Sequence, residues 1–244
     1  MKITITGIGP GDERFMTLQA LEAIREAEVV VGYDLYVDLV RHLCEGKEVL
    51  STGMRKEVDR CRLALEAALR GKTVAFVCSG DAGIYGMAGI MLEVAREHPE
   101  VAVSVVPGVT AASFSAARLG APLGHDFAAV SLSDLLTPWD LIEKRLRLAA
   151  EADFIICLYN PRSKKRHDYL DKAVGYILEH RPASTPCGYV KNAGRPGEEA
   201  RICALGELPA QDIDMFTTVI IGNSQTRIVS GRLVTPRGYR GFEG

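Results

Sequence analysis

Three clusters in this chain have residue types and spacing suited to chemistry. The first is Gly7-Ile8-Gly9-Pro10-Gly11-Asp12, three glycines in five positions behind the run Met1-Lys2-Ile3-Thr4-Ile5-Thr6. Alternation with β-branched residues predicts a strand, and the glycines predict a turn that lets backbone approach a ligand. A dinucleotide fingerprint wants Gly-x-Gly-x-x-Gly, and here the third glycine comes one residue early. The turn contains no Gly-Lys-Ser/Thr, so it is not a P-loop, and Pro10 removes an N–H that a phosphate cradle would use. In favour of a dinucleotide stands Val29-Val30-Val31-Gly32-Tyr33-Asp34, a second strand ending in an acid about twenty residues on. A dinucleotide, another small ligand and a purely structural turn all stay open at this point.

The second cluster is Ser79-Gly80-Asp81-Ala82-Gly83-Ile84-Tyr85-Gly86. Asp81 is placed either to hold a ligand hydroxyl or to cap a helix starting near Ile84. Tyr85 either stacks on a flat ligand or packs. The third is Arg162-Ser163-Lys164-Lys165-Arg166-His167, a set of cations where a helix dipole prefers anions. It reads as a solvated turn or as a positive lip for an anionic, polycarboxylate ligand. No aromatic residues interleave it, which argues against nucleic acid. No Ser-His-Asp, Cys-His or paired-carboxylate spacing is evident. That points to chemistry in which the reagents carry the reactivity and the protein positions them.

The composition narrows the classes. The chain has 244 residues, 47% hydrophobic, with a net charge of −2, so it can bury a core and has no global pull toward nucleic acid or anionic membrane. No apolar run is long enough for a membrane span, and a strand from residue 2 does not read as a signal peptide. Cys44, Cys61, Cys78, Cys157, Cys187 and Cys203 form no Cys-x-x-Cys. They read as reduced, mostly buried thiols of a cytoplasmic protein, with no metal site. The histidines are scattered singly.

The elements that must position these clusters alternate. Strands and helices succeed one another up to about Leu119, which predicts an α/β domain over residues 1–119 with a mostly parallel sheet. Val58, Cys61, Leu65, Ala68 and Leu69 mark the apolar face of one helix, stopped by Gly71. Pro107-Gly108-Val109-Thr110-Ala111-Ala112 closes a further strand. Gly120-Ala121-Pro122-Leu123-Gly124-His125 reads as a linker, residues 120–125, before a second α/β domain over 126–244. Within that domain the turn Ala193–Gly197 invites antiparallel pairing of the runs on either side. After Ser230 the chain reads as a loose tail or dimer arm. Turns at several strand ends, in two halves, suggest a ligand cleft between two domains.

Taken in order, the Gly7, Ser79 and Pro107 motifs resemble those of the tetrapyrrole (class III) methyltransferases, which use S-adenosylmethionine. In the second half, Ser131–Trp139, Leu158–Ser163 and Val219–Ser224 resemble the corrin-pathway members of that family. The resemblance implies two α/β domains of the tetrapyrrole methylase type with the active site in the cleft between them, in a homodimer. It implies methyl transfer to C-17 of a precorrin macrocycle with ring contraction, S-adenosylhomocysteine as product, and no nucleic-acid or membrane partner. The family's cofactor positions fall on Pro10, Gly80, Asp81, Ile84, Thr110, Ala111, Asn160, Gly188 and Thr218, although the family usually has a more hydrophobic residue at Asn160. The substrate side is expected at Gly9, Tyr85, Arg162, Lys164, Lys165 and Arg166. Asp34, Asp81, His125 and Asp134 are the acid/base candidates. A cofactor without phosphates would also account for Pro10.

Overall fold

The structure, a computed structural model, describes residues 1–163 and 167–239; Lys164, Lys165, Arg166 and residues 240–244 lie outside it. It divides into two units, Met1–Ala111 and Ala112–Gly244.

In the first unit β1 (Lys2–Gly7), β2 (Val29–Tyr33), β3 (Glu48–Thr52), β4 (Thr73–Cys78) and β5 (Ala102–Val106) form one sheet. Their order is β3-β2-β4-β1-β5, and every pairing is parallel. Parallel strands need crossovers, and helices α1 (Leu18–Glu26), α2 (Asp34–Leu39), α3 (Glu57–Leu69) and α4 (Ala88–Val94) supply most of them. α3 and α4 cover the face of Ile3, Ile5, Val31 and Phe76. α1 and α2 cover the face of Ile8, Val30, Ala75 and Val77. Burial on both faces explains the near-continuous apolar runs in β2 and β4. α1 is capped by Thr17, whose hydroxyl accepts from the Ala20 N–H at 3.1 Å. Beyond α3, Gly71 takes a φ of +87°, as its stop role requires.

The buried face of α3 differs from the expected one. Cys61, Leu65 and Ala68 are buried, but Val58 and Leu69 are exposed, and Arg60 and Ala64 are buried. The guanidinium of Arg60 finds acceptors inside at Thr52 and Gly53, so a charged residue lies where apolar spacing alone would not put one.

The second unit starts with α5 (Ala111–Leu119), which begins at the boundary, and β6 (Gly120–Ala121). Then come β7 (Phe127–Ser131), α6 (Trp139–Glu151), β8 (Ile155–Tyr159), α7 (Tyr169–Leu178), β9 (Pro186–Lys191), β10 (Glu199–Ala204), β11 (Thr217–Ile221), β12 (Arg227–Val229) and β13 (Arg232–Val234). The main sheet runs β10-β9-β11-β8-β7. Here β7 and β8 are parallel, joined by α6, while the other pairs are antiparallel. β9 and β10 pair across the turn where antiparallel pairing was expected. α6 and α7 cover one face of the sheet; α5 and Leu233 cover the other, over Ile155, Cys157, Val190 and Ile220.

Two further differences concern the boundary. Residues 120–125 are not a free linker: Gly120–Ala121 pairs in parallel with β13. The chain after Ser230 is not loose at its start, because β12 and β13 form a hairpin and Leu233 is fully buried. One apolar residue in a short polar stretch was enough to anchor it, a signal too small for composition to show.

Candidate functional site

In the first unit, β1 lies between β4 and β5, so their carboxyl ends stand side by side. The turns that follow are locked backbone to backbone. The Gly9 N–H donates to the Gly80 carbonyl at 3.0 Å, and the Gly80 N–H donates to the Gly9 carbonyl at 2.7 Å. A Cβ on Gly108 would lie 2.2 Å from the Gly80 oxygen and 2.6 Å from the carbonyl carbon of Gly7. A Cβ on Gly7 would lie 2.6 Å from the Gly108 nitrogen. Gly7 and Gly108 therefore meet the Gly80 carbonyl in one knot that leaves neither of them room for a Cβ, and Gly80 itself takes a φ of +68°. Gly9 and Gly11 flank the buried Pro10 with φ of +56° and +111°.

Asp81 ties the knot. Its Oδ1 accepts from the N–H groups of Gly83 at 2.8 Å and Ile84 at 3.1 Å, and its Oδ2 accepts from the Gly108 N–H at 3.0 Å. It joins the β4 and β5 turns and does not cap α4, which starts later, at Ala88. Beyond it Ile84 and Tyr85 are exposed, and Tyr85 is held at φ +54°, a left-handed conformation costly for an aromatic residue. Thr110 leads into α5, of which Ala111 is the first residue. Asp12 is drawn down to about 2 by the hydrogen bonds and charge of Arg14. No Lys or Arg occurs in Gly7–Asp12, Ser79–Gly86 or Pro107–Ala112. Such a set of carbonyls, N–H groups and two acids, Asp81 and the Arg14-paired Asp12, suits a cationic, phosphate-free ligand and fits the expected cofactor.

In the second unit the site residues are held by side chains. Asn160 follows β8 at φ +52°, and its Nδ2 donates to the Ser131 hydroxyl at 3.0 Å. Asn tolerates the left-handed region better than a bulky apolar residue. The Tyr159 hydroxyl accepts from the Ala112 N–H at 3.0 Å, fixing the start of α5 against the end of β8. Gly188 and Thr218 lie in the neighbouring strands β9 and β11, where Gly188 pairs with Ile220 and Thr218 with Val190. A Cβ on Gly188 would sit 2.8 Å from the Leu119 methyls, so glycine lets α5 close onto the sheet.

The acid/base candidates differ in surroundings. Asp34 opens α2 at the end of β2 and is exposed. His125 is exposed, and its Nδ1 accepts from the Asp126 N–H at 3.0 Å. Asp134 accepts from the Tyr169 hydroxyl at 2.6 Å, and that bond, with burial, raises the tyrosine above its ordinary value. Of the expected lip, Lys164, Lys165 and Arg166 lie outside the described residues. Arg162 is engaged internally: it pairs with Asp171 and donates to the carbonyls of Pro209 at 2.7 Å and Gln211 at 3.2 Å. Its guanidinium serves the fold of this unit, because three acceptors lie within reach of its stem.

Burial pushes the thiols of Cys61 and Cys203 up to about 11 and those of Cys78 and Cys157 to about 12, so none is a ready nucleophile. Among the described residues no group of His, Cys, Asp and Glu could hold a metal ion. No described helix is long and apolar enough to cross a membrane. Reading the sequence missed Ser131, Tyr159, Tyr169 and Arg60. Ser131, Tyr159 and Tyr169 act through partners distant in sequence, whereas Arg60, bonded to nearby Thr52 and Gly53, left a trace as a cation among the small residues of α3.

Residues 2–209 match the family of Tetrapyrrole (Corrin/Porphyrin) Methylases. A probable cobalt-factor III C(17)-methyltransferase of Salmonella typhimurium is 49% identical over 238 residues, spanning 97% of this chain and 99% of that protein. The crystal structure of the methyltransferase CobJ superposes with a TM-score of 0.89 at 37% identity, covering 96% of this chain and 99% of the other. A uroporphyrin-III C-methyltransferase from Thermus thermophilus, complexed with S-adenosylhomocysteine, gives a TM-score of 0.72 at 27% identity, covering 91% and 92%. The chain belongs to the tetrapyrrole (corrin/porphyrin) methylases.

Proposed function

We propose that this chain transfers a methyl group from S-adenosylmethionine to C-17 of cobalt-factor III or of precorrin-3B, with contraction of the ring. The observation that carries the reading is the cation-free glycine knot of Gly7, Gly80 and Gly108, at the place where the family's cofactor positions fall. The near full-length likeness to a probable C-17 methyltransferase supports this choice of acceptor.

When bound, S-adenosylmethionine supplies a methyl group on a positively charged sulfur, already activated for transfer. The residues we assign to it are Pro10, Gly80, Asp81, Ile84, Thr110, Ala111, Asn160, Gly188 and Thr218. Backbone polar groups at the knot and the carboxylate of Asp81 suit a cation and its hydroxyls. Exposed Ile84 offers an apolar face. A rigid set of groups of this kind accelerates transfer by orientation and by keeping water out. Gly9 and Tyr85 face the substrate side. Lys164, Lys165 and Arg166 remain candidates for the carboxylate rim, whereas Arg162 holds the fold. Of the acid/base candidates, Asp34 has no partner among the described residues, while Asp81 and Asp134 are bonded; Asp34 is therefore the preferred proton-moving group. We also read the protein as cytoplasmic, in keeping with its six unpaired cysteines, and as a homodimer.

Incubation with cobalt-factor III and S-adenosylmethionine, followed by mass and absorbance spectra, tests the reading. A product carrying one added methyl and a contracted ring is expected. An unmethylated or uncontracted product counts against the assignment. In calorimetry, S-adenosylhomocysteine should bind and NAD should not; the reverse would overturn it.

A further inference from the structure

We infer that the carboxyl ends of β2 and β3 form a carboxylate subsite, in which Arg60, with Arg55 and Lys56 at its mouth, takes a side-chain carboxylate of the tetrapyrrole. The inference rests on the proposed function for the identity of the ligand and on the first unit alone for its geometry.

Arg60 is 4% exposed. Its Nε donates to the Thr52 hydroxyl at 2.9 Å and its Nη2 to the Gly53 carbonyl at 3.0 Å, and the guanidinium lies 5.6 Å from the centre of the Tyr33 ring. All of these partners are neutral. Among the described residues no carboxylate pairs with Arg60, and its Nη1 has no acceptor. A buried charge without a counter-ion is costly, and proteins nearly always pair one. Arg181 shows the alternative within this chain: a buried guanidinium spread over the carbonyls of Gly222, Ala149 and Phe154. Arg60 has one carbonyl and one hydroxyl and so keeps donor capacity for an anion.

Its position agrees with that role. Arg60 lies in the first turn of α3, a helix of 13 residues whose N-cap, Lys56, makes no side-chain cap bond. Free N–H groups and the positive end of the dipole add to the guanidinium. Glu57 and Asp59 also sit in this turn; Asp59 pairs with Arg62 at 3.7 Å. The loop leading in is Gly53-Met54-Arg55-Lys56. Met54 is 55% exposed, Arg55 is held at φ +65°, and neither Arg55 nor Lys56 has an ion-pair partner among the described residues. An apolar side chain beside unpaired cations suits a ring with a carboxylate rim.

Strand order places the subsite beside the cofactor turns. β2 neighbours β4, whose end carries Gly80 to Ile84, and β3 is one strand further. Strands lie about 4.8 Å apart, so the β3 end is about 10 Å from the β4 end. The Oδ2 of Asp34 lies 3.9 Å from where a Cβ on Gly53 would stand. A ring held through its carboxylate at Arg60 would thus come next to Asp34.

The experiment uses Arg60→Met, Arg60→Lys and the double variant Arg55→Glu/Lys56→Glu. For each, KM for the tetrapyrrole, Kd for S-adenosylhomocysteine and the absorbance titration of an octacarboxylate porphyrin are measured. Arg60→Met should raise KM and weaken porphyrin binding about ten-fold or more, and Arg60→Lys should restore part of it. The double variant should weaken both several-fold and flatten their salt dependence. S-adenosylhomocysteine affinity should stay within about two-fold. Unchanged KM and porphyrin affinity in the folded variants would overturn the subsite. Loss of S-adenosylhomocysteine affinity with KM held would assign the carboxylate to the cofactor's methionine end and overturn it as well. Should Arg60→Met fail to fold, the double variant on the exposed loop decides. A wild type that binds the porphyrin but transfers no methyl would break the proposed function and leave the subsite standing.

Discussion

The two units build their site residues in different ways. In the first, three parallel strand ends meet through close backbone contact: Gly7 and Gly108 leave no room for a Cβ, Gly80 takes a left-handed φ of +68°, and Asp81 clamps the turns by their N–H groups. In the second, a mixed sheet holds its site residues by side chains: Asn160 on Ser131, Tyr159 on the Ala112 N–H, Tyr169 on Asp134, and Arg162 on Asp171. Backbone packing is intolerant, because one methylene has nowhere to go. Side-chain bonds are separable, because each can be deleted alone. The first unit should therefore fail as a whole when touched, and the second should fail piece by piece.

Gly108→Ala should have the largest effect. Its Cβ would stand 2.2 Å from the Gly80 oxygen, and the atoms around it are backbone that cannot rotate away. We expect a loss of about 3 kcal/mol or more in denaturant unfolding and no measurable S-adenosylhomocysteine binding in calorimetry. Gly89→Ala is the control within the same unit. Gly89 lies in α4 with nothing within 4 Å of the Cβ position, and the substitution should be neutral or stabilise by about 0.5–1 kcal/mol. Equal stability of the two variants would dissolve the knot.

Asp81→Ala comes next. It strips the acceptors from three N–H groups, those of Gly83, Ile84 and Gly108. The expected cost is about 2–3 kcal/mol in unfolding, with weaker S-adenosylhomocysteine binding. Asp81→Asn separates clamping from proton transfer. An amide keeps one acceptor oxygen, so partial stability with some turnover marks a clamp. Full stability with no turnover would mark an acid/base group and break the comparison.

This contrast also explains what the sequence made legible. Glycine spacing at Gly7, Gly80 and Gly108 is visible because close backbone contact at two of them and a left-handed φ at Gly80 favour one residue type, and the parallel sheet followed from strand–helix alternation. The second unit yielded its strands but not its contacts. Ser131 with Asn160, and Tyr159 with Ala112, are chosen by tertiary neighbours, and many residue types could fill such places. Arg162 looked like a surface cation because its neighbours in sequence are charged; its acceptors at Pro209, Gln211 and Asp171 come from elsewhere in the chain. Leu233 hid in a polar tail for a similar reason, since its burial depends on pairing with Gly120.

The smallest expected effect is Tyr169→Phe, and its signature is pH. The hydroxyl donates to Asp134 at 2.6 Å, and this bond, followed by burial, raises the tyrosine above its ordinary value of 10.0. A raised value means that the neutral phenol is favoured in the folded state. Its contribution is therefore fully present below about pH 10 and is lost as pH climbs through the folded value. Wild type should accordingly lose a part of its stability between pH 10 and higher pH that Tyr169→Phe does not lose. At neutral pH the variant should be about 1 kcal/mol less stable, the worth of one partly buried hydrogen bond. S-adenosylhomocysteine affinity should not change, because the glycine knot is untouched. Thermal unfolding across the alkaline range gives the first result and calorimetry the second. Parallel pH curves for the two proteins would remove the Tyr169–Asp134 bond from the account. Lost cofactor affinity would show that the side-chain bonds of the second unit are as indivisible as the backbone of the first.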